Sequence, residues 1–156
     1  GYLSKNLIVL DIEAKDRNDL LEVMVTQAHK AGIVKDKEEF LNNITEREAL
    51  TPTIIGKGVA VPHARSGGAN SHVVVIFGRL KSSIEYSSED PERVRLVFMV
   101  STGTNEREYL NVLRLIATNI SNESVYRRLL EAKDVHEVHH VLSELRNEYP
   151  LTMQTV

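Results

Sequence analysis

The sequence predicts an α/β fold, a single-domain α/β/α sandwich with a mixed, mostly buried central β-sheet flanked by helices. Two observations carry this prediction. The segments "HVVVIFG" (72–78) and "VRLVFMV" (94–100) are almost continuously apolar, which is typical of central strands covered on both faces. Segments with a helical apolar period precede and follow them. No linker or repeat divides the 156 residues, so we expect one domain over 5–146 and a tail over 147–156.

The first third predicts one strand and two helices. Branched apolar residues in "NLIVLDI" (6–12) indicate a strand. A helix is predicted over 16–31, with Gly32 as its C-terminal stop. A second helix begins at Asp36, which has Glu39 three residues later as a capping-box partner. The side chains expected to face the core are Leu20, Leu21, Met24, Ala28, Phe40, Leu41 and Ile44.

The middle and the end of the chain predict strands followed by helices. Short extended pieces are expected at 53–55 and 58–61, and "SSIEYSSEDPER" (82–93) is interpreted as a polar surface connection between the two core strands. Helices follow, one of them over 125–132. Capping boxes are predicted for the other two, formed by Asn105 with Glu108 and by Asp134 with Glu137. Their expected inward side chains are Leu110, Leu113, Ile116, Ala117, Ile120, Val138, Val141, Leu142 and Leu145.

Composition excludes several classes of function. A formal net charge of −3 gives no broad attraction for nucleic acid or for an anionic membrane. The chain has no cysteine, which rules out disulfides, zinc–thiolate sites and thiol catalysis. No apolar run approaches the roughly 18 residues of a membrane helix, so we expect no direct membrane insertion and a cytoplasmic location. We also expect no metal or other cofactor, because no carboxylate cluster resembles a magnesium site.

His63 is the first candidate for chemistry. In "VAVPHAR" (59–65), Pro62 fixes its own φ and biases Val61 toward extended geometry, so the position of the next ring is better defined than in a free loop. A neutral imidazole with one nitrogen held by a hydrogen bond is a competent nucleophile. The alternative is a histidine with ordinary partners in a surface loop.

Arg47 is the second candidate. It lies seven residues after Phe40, so at 100° per residue it returns to within roughly 20° of the same direction and continues the apolar stripe toward the domain. There its planar guanidinium would suit a phosphate group near His63. The alternative is an arginine that pairs with a carboxylate or extends past its neighbours. Arg65 and Lys57 could add positive field, although solvated charges are the simpler interpretation.

A competing motif lies near the end of the chain. "HEVHH" (136–140) contains H-E-x-x-H, the zinc-protease pattern. On a helix whose apolar stripe includes Val138, however, His136 and His140 face water, as does Glu144, the plausible third ligand. We therefore interpret the motif as a chance match.

The remaining motifs are weaker. "GKG" (56–58) is neither a P-loop nor a dinucleotide fingerprint. His29 and His72 are expected at the edges of secondary-structure elements, without a chemical role.

The stretch "EREALTPTIIGKGVAVPHAR" (46–65) resembles the signature of the IIA component of the bacterial phosphotransferase system, of the mannitol and fructose type, which includes a nitrogen-regulatory branch. The resemblance extends from residue 5 to about residue 146, with matching element order. It implies that His63 accepts a phosphoryl group from the phosphohistidine of the carrier protein HPr, or of its nitrogen-branch relative NPr. It also implies that a IIB component or a regulated protein is the next partner, and that Arg47 is the active-site arginine.

One position departs from the family pattern. Most members carry a second histidine in an "HL" pair after the last core strand, and here Tyr109 precedes Leu110. A tyrosine can donate a hydrogen bond to a phosphoryl oxygen but cannot carry positive charge. Tyr109 is therefore a third candidate site residue, the alternative being that it only packs at the helix start.

Three functions remain open on these grounds. The first is a phosphotransferase that carries the phosphoryl group as a phosphohistidine. The second is a regulatory, phosphorylation-sensing module of the same fold, excised from a larger transporter-like protein, with little or no onward transfer. The third is a metallohydrolase built on "HEVHH" (136–140).

Overall fold

The computed structural model describes residues 7–65, 73–103 and 106–145. In the described part, six strands and five helices follow one another along the chain: β1 (Ile8–Ile12), α1 (Arg17–Lys30), α2 (Lys37–Leu50), β2 (Ile54–Gly56), β3 (Val59–Ala60), β4 (His63–Arg65), β5 (Val74–Ser87), β6 (Asp90–Thr102), α3 (Glu106–Ile120), α4 (Glu123–Glu131) and α5 (Val135–Ser143).

The strands form one mixed sheet, as predicted. Its order is β1-β5-β6-β3-β2, and β4 pairs with β6 beyond β3. The pairs β1–β5, β3–β6 and β4–β6 are parallel, whereas β5–β6 and β2–β3 are antiparallel. Because β3 and β4 lie along the same side of β6, the chain between them brings His63 opposite Val100 near the end of that strand.

Helices cover both faces of the sheet, which confirms the predicted α/β/α sandwich. One face packs against α1 and α2, and the other against α3, α4 and α5. Neighbouring residues of a strand face opposite sides, so Ile76 lies in the first apolar cluster and Phe77 in the second. Full burial of such a side chain stabilises the fold by about 1.5–3 kcal/mol. The predicted core residues of α1 are all buried, namely Leu20, Leu21, Met24 and Ala28.

Asp36 and Asp134 cap their helices as predicted, but Glu137 Oε2 accepts from Lys133 N and not from Asp134 N, the donor in a complete capping box. Asp36 Oδ1 accepts a hydrogen bond from Glu39 N at 3.0 Å, and Asp134 Oδ1 accepts one from Glu137 N at 2.8 Å. Gly32 has a φ of 78°, which lets the chain leave α1. Asn105 lies outside the described residues, as does the tail predicted over 147–156.

The surface connection predicted over 82–93 is wrong. Both core strands continue through it as a long hairpin, with Ile84 opposite Val94 and Ser87 opposite Asp90. Ile84 and Tyr86 are buried, and they alternate with the exposed Glu85. The two-residue period of a half-buried strand was therefore present, but serine-rich flanks made the segment look like a loop.

The predicted apolar stripe of α3 is also partly wrong. Leu110 and Ala117 are exposed, and the helix packs through the buried residues Val112, Ile116 and Ile120. Those three residues are spaced four apart along the helix. The leucines on an adjacent face are more numerous, and they led to the wrong prediction of which side chains are buried. Within the described ranges, no helix has both the length and the apolar character needed to cross a bilayer.

Candidate active site

The last turn of α2 delivers Arg47. The helix packs against the sheet through Phe40 and Ile44, and the stripe continues to the fully buried Glu48. Arg47 stands beside this stripe with an exposed side chain that extends toward β4. Thr51 N donates to Arg47 O at 3.0 Å, which closes the helix end at this residue.

The strand β4 begins with His63, and backbone contacts fix the residues before it. Val61 N donates to Thr53 O at 2.8 Å, and Val100 N donates to Pro62 O at 2.8 Å. Proline contributes its fixed φ between these two bonds. The imidazole of His63 is therefore attached to a constrained backbone, as the sequence predicted.

Both ring nitrogens of His63 have partners. Arg47 Nε donates to His63 Nε2 at 3.1 Å, and the Tyr109 hydroxyl lies 3.0 Å from His63 Nδ1. The two rings stack with their centroids 4.3 Å apart and an angle of 25° between their planes. Because a guanidinium only donates hydrogen bonds, Nε2 must be the acceptor. The neutral ring then carries its proton on Nδ1, which faces both the Tyr109 oxygen and the Val61 backbone.

Electrostatics keep His63 neutral and Tyr109 protonated near neutral pH. Burial lowers the pKa of His63 below its ordinary value, and the Arg47 charge lowers it further, against a hydrogen bond with the Val61 backbone that raises it. Burial, together with the charge of Glu48, raises the pKa of Tyr109 to about 12, although Arg47 opposes this shift. The site therefore presents an unprotonated Nε2 beside a permanent cation.

These groups open into one cavity. It has a volume of about 450 Å³ and is lined by Arg47, His63, Ala64, Arg65, Thr102, Gly103, Tyr109 and Leu110. The lining thus includes two permanent cations and a neutral imidazole, which suits a small anion such as a phosphoryl group.

Lys57 lies elsewhere, contrary to its suggested contribution to the field at His63. Its Nζ is 2.9 Å from Glu123 Oε2 and 5.0 Å from the centre of the Tyr126 ring. The reason is that β2 and β3 direct this residue toward the start of α4.

The H-E-x-x-H segment lies on α5, away from this cavity. His136 and His140 are exposed, as the helical geometry predicted, and His140 Nε2 lies 3.2 Å from Glu144 Oε1. Glu137 Oε2 accepts a hydrogen bond from Lys133 N at 2.8 Å. Among the described residues, no three side chains of the metal-binding types come together as a ligand set.

Two histidines remain, His29 and His72, and His29 is not among the residues that line the cavity. His29 Nδ1 lies 2.8 Å from Val34 O, at the end of α1. His72 is outside the described residues.

Sequence reasoning missed a cluster of hydrogen-bonded polar side chains beside the site, formed by the buried Glu48 and Tyr86 and the half-buried Thr53. Tyr86 OH donates to Glu48 Oε1 at 2.7 Å, and Thr53 Oγ1 donates to Glu48 Oε2 at 3.0 Å. The spacing of Phe40, Ile44 and Glu48 is the signal that could have found it, since residues four apart share a helix face.

Comparison with known proteins gives one family. Residues 1–145 match the family described as "Phosphoenolpyruvate-dependent sugar phosphotransferase system, EIIA 2". The chain is 32% identical over 144 residues to the "PTS system fructose-specific EIIABC component" of Bacillus subtilis, which covers 91% of the chain. The matched region is only 22% of that relative's length.

Solved structures give the same result. The nitrogen regulatory protein IIA-Ntr of Neisseria meningitidis superposes with a TM-score of 0.79 at 26% identity, over 90% of this chain and 96% of the other. The IIA mannitol enzyme of Escherichia coli, solved in complex with phosphorylated IIB mannitol enzyme, superposes with a TM-score of 0.74 at 26% identity, over 90% and 96% of the two chains.

The similarity includes the segment that carries Arg47, His63 and Tyr109, together with the sheet and helices that hold them. The relatives belong to both the sugar-specific and the nitrogen-regulatory branches. This chain is a member of the EIIA type 2 family of the phosphoenolpyruvate-dependent sugar phosphotransferase system.

Proposed function

We propose that this chain is a phosphoryl carrier that accepts a phosphoryl group on Nε2 of His63 from phospho-HPr or phospho-NPr. The observation that supports this most directly is the hydrogen bond from Arg47 Nε to that nitrogen. The bond makes Nε2 the unprotonated nitrogen of the ring, and it supports Arg47 as the cation that would meet the charge of the incoming group. The cavity in front of the ring leaves room for that group.

The transfer step is an exchange between two imidazoles. The Nε2 lone pair of His63 forms a new N–P bond while the N–P bond of the donor phosphohistidine breaks, and the electron pair of the broken bond remains on the donor nitrogen. His63 keeps its proton on Nδ1 throughout, against the Tyr109 oxygen. The protein's contribution is an aligned nucleophile and preorganised positive charge, because phosphoryl transfer depends mainly on positioning and electrostatics.

Arg47 changes partners during this step. In the resting site it occupies Nε2, so the guanidinium moves from the nitrogen to the phosphoryl oxygens as the new bond forms. Its fork can bind two oxygens at once, and Arg65 lines the same cavity. We propose a IIB component as the next acceptor, in line with the similarity to the E. coli IIA enzyme solved with phosphorylated IIB.

Intact-mass measurement tests the proposal. The chain is incubated with phosphoenolpyruvate, enzyme I and either HPr or NPr. We expect the acid-labile gain of one phosphoryl group, absent in His63→Ala and retained in His140→Ala, which changes an exposed histidine on α5. No gain with either donor, or a gain that persists in His63→Ala, contradicts the proposal.

A regulatory, phosphorylation-sensing module is the second candidate. It is favoured by Tyr109, which replaces the second histidine of the family pattern, and by the similarity to the IIA-Ntr structure. Adding IIB proteins of the fructose and mannitol type to the phosphorylated chain separates the two functions. Loss of the phosphoryl group to IIB supports the carrier, whereas a stable phosphorylated chain supports the regulatory module.

A further inference from the structure

Glu48 is a buried carboxylate adjacent in sequence to Arg47. Its side chain is fully buried, with 0% exposure. A buried carboxylate is expensive unless hydrogen bonds replace its water. Here three donors do so. Oε1 accepts from Thr53 N at 3.1 Å and from Tyr86 OH at 2.7 Å, and Oε2 accepts from Thr53 Oγ1 at 3.0 Å.

These donors come from two other parts of the fold. Thr53 belongs to the segment between α2 and β2, and Tyr86 belongs to β5. Tyr86 is itself held in place, because Arg17 Nη1 donates to its backbone oxygen at 3.0 Å. The carboxylate of Glu48 therefore ties the last turn of α2 to the sheet.

Thr53 also connects to the segment that carries His63. Its backbone oxygen accepts from Val61 N at 2.8 Å, two residues before the imidazole. A single residue thus contacts the side chain next to Arg47 and the backbone that leads through Pro62 to His63.

We propose that Glu48 is a positioning residue for phosphoryl transfer: its hydrogen bonds to Thr53 and Tyr86 hold α2 so that Arg47 stays within reach of His63 Nε2. This inference rests on the proposed function for its kinetic consequences. A role in stability alone would lower the free energy of unfolding, because the Tyr86 hydroxyl and the Thr53 N–H would lose their acceptor, but it would not lower the transfer rate per folded molecule. A small displacement of a catalytic group, in contrast, can lower a rate by about 100-fold.

The first test uses the resting protein and needs no phosphoryl donor. The ¹⁵N chemical shift of His63 Nε2 reports whether this nitrogen accepts a hydrogen bond. Glu48→Met removes the acceptor oxygens, and we expect the Nε2 shift to move toward the value measured in Arg47→Ala. A shift that stays at the wild-type value, or Arg47→Ala itself without effect, overturns the inference.

The second test is a double-mutant cycle on the transfer rate per folded molecule. Glu48→Met should lower the rate by about 10- to 100-fold in the wild-type background. In the Arg47→Ala background it should lower the rate by less than about twofold, because its effect is transmitted by Arg47. An equal loss in both backgrounds overturns the inference, since that is what a purely structural role predicts.

Two further variants separate geometry from charge. Glu48→Gln can keep every contact: its oxygen accepts from Thr53 N and Tyr86 OH, and its amide donates to Thr53 Oγ1. We expect its rate to stay within about threefold of wild type, and a loss as large as that of Glu48→Met contradicts positioning by hydrogen bonds. Glu46→Met, at an exposed position of the same helix, is the matched control and should change neither measurement.

Additional variants control for loss of folding, and the chemical-shift measurement controls for failure of the proposed function. If Glu48→Met does not fold, Glu48→Met/Tyr86→Phe leaves no buried tyrosine hydroxyl without a partner, and Thr53→Val removes one donor only. Both variants are tested by the Nε2 chemical shift and by the transfer rate per folded molecule, and we expect each to change in the same direction as in Glu48→Met. If the wild-type chain takes no phosphoryl group from any donor, the proposed function fails, and the Nε2 shift still decides the role of Glu48.

Discussion

Arg47 on α2 and His63 on β4 meet through a hydrogen bond of 3.1 Å from Nε to Nε2, although they are 16 residues apart in the sequence. The contact joins a permanent cation to the lone pair of a neutral imidazole. It fixes the tautomer of the ring, because the nitrogen that accepts from a guanidinium cannot carry a proton. In the proposed transfer this unprotonated nitrogen would be the nucleophile, and the guanidinium already lies within reach of it.

Arg47→Lys should slow phosphoryl transfer while the protein stays folded. Lysine keeps the charge but lacks the planar fork that binds two phosphoryl oxygens. We expect kcat/KM for the phosphocarrier to fall by about 10- to 100-fold, or roughly 1.4–2.7 kcal/mol, with little change in Tm because the side chain is exposed. Arg65→Lys, at the edge of the same cavity, is the control and should have a smaller effect. Wild-type kinetics in Arg47→Lys would remove Arg47 from the mechanism.

Tyr109→Phe should reduce transfer modestly. The variant keeps the stacked ring but removes the oxygen that lies 3.0 Å from His63 Nδ1. One hydrogen bond of this kind contributes about 0.5–1.5 kcal/mol, so we expect a loss of about 2- to 13-fold in single-turnover rate. An unchanged rate would leave Tyr109 with a packing role only.

Tyr109→His should add a pH dependence to the transfer rate beyond the one expected from His63 itself. An imidazole at this position gains a positive charge near its ordinary pKa of about 6.5, whereas burial and the charge of Glu48 raise the pKa of Tyr109 to about 12. The ratio of variant to wild-type rate should therefore be higher at pH 6 than at pH 8. Stopped-flow measurement at both values checks this, and a constant ratio contradicts it.

The pKa of His63 should lie below its ordinary value of 6.5, because burial and Arg47 both disfavour the protonated ring. Transfer should be insensitive to pH above about 6.5 and should fall as the pH drops through the lowered pKa. An NMR titration of the imidazole checks the midpoint, and Arg47→Gln should raise it. A midpoint at or above the ordinary value would show that the ring is not desolvated.

Folding stability should follow the same shift. The unfolded chain binds a proton at His63 before the folded chain does, so its contribution to stability is present above pH 6.5 and is lost as the pH falls toward the lowered pKa. Urea unfolding between pH 5 and pH 8 measures this. His63→Gln is the control, and it should unfold with a smaller dependence on pH in this window.

Leu110→Ser should weaken the binding of the phosphocarrier. Leu110 is 50% exposed and lines the cavity beside His63, so a docked protein would cover it. Burial of part of a leucine contributes about 1–2 kcal/mol, which predicts a KM for the phosphocarrier raised by about 5- to 30-fold, with kcat within about twofold. Ala117→Ser, exposed further along α3, is the matched control. A lower kcat at unchanged KM would instead give Leu110 a role within the reaction.

Local sequence patterns were sufficient for most of the fold, and together with the family signature they indicated two residues of the candidate site. The Asp36 cap, the Gly32 stop and the buried stripe of α1 depend on neighbours within one helical turn, so the sequence predicts them directly. His63 was distinguished by the proline before it and by the family signature around it. Arg47 was distinguished by the same signature, whereas the prediction from helical phase was wrong: Glu48 continues the buried stripe, and the exposed Arg47 lies beside it.

The tertiary structure decided the features that depend on residues distant in sequence. The extension of β5 and β6 into one long hairpin was not predicted from the sequence; the structure shows it through the pairing of the two strands and the burial of Ile84 and Tyr86. The burial of Glu48 was not predicted, and it depends on donors from Thr53 and Tyr86, the second of which lies 38 residues away. The sequence by itself determined which residues could do the chemistry. Their distances, the tautomer of His63 and the lowered pKa were decided by packing, because each depends on the partners and the loss of water that folding alone brings to that ring.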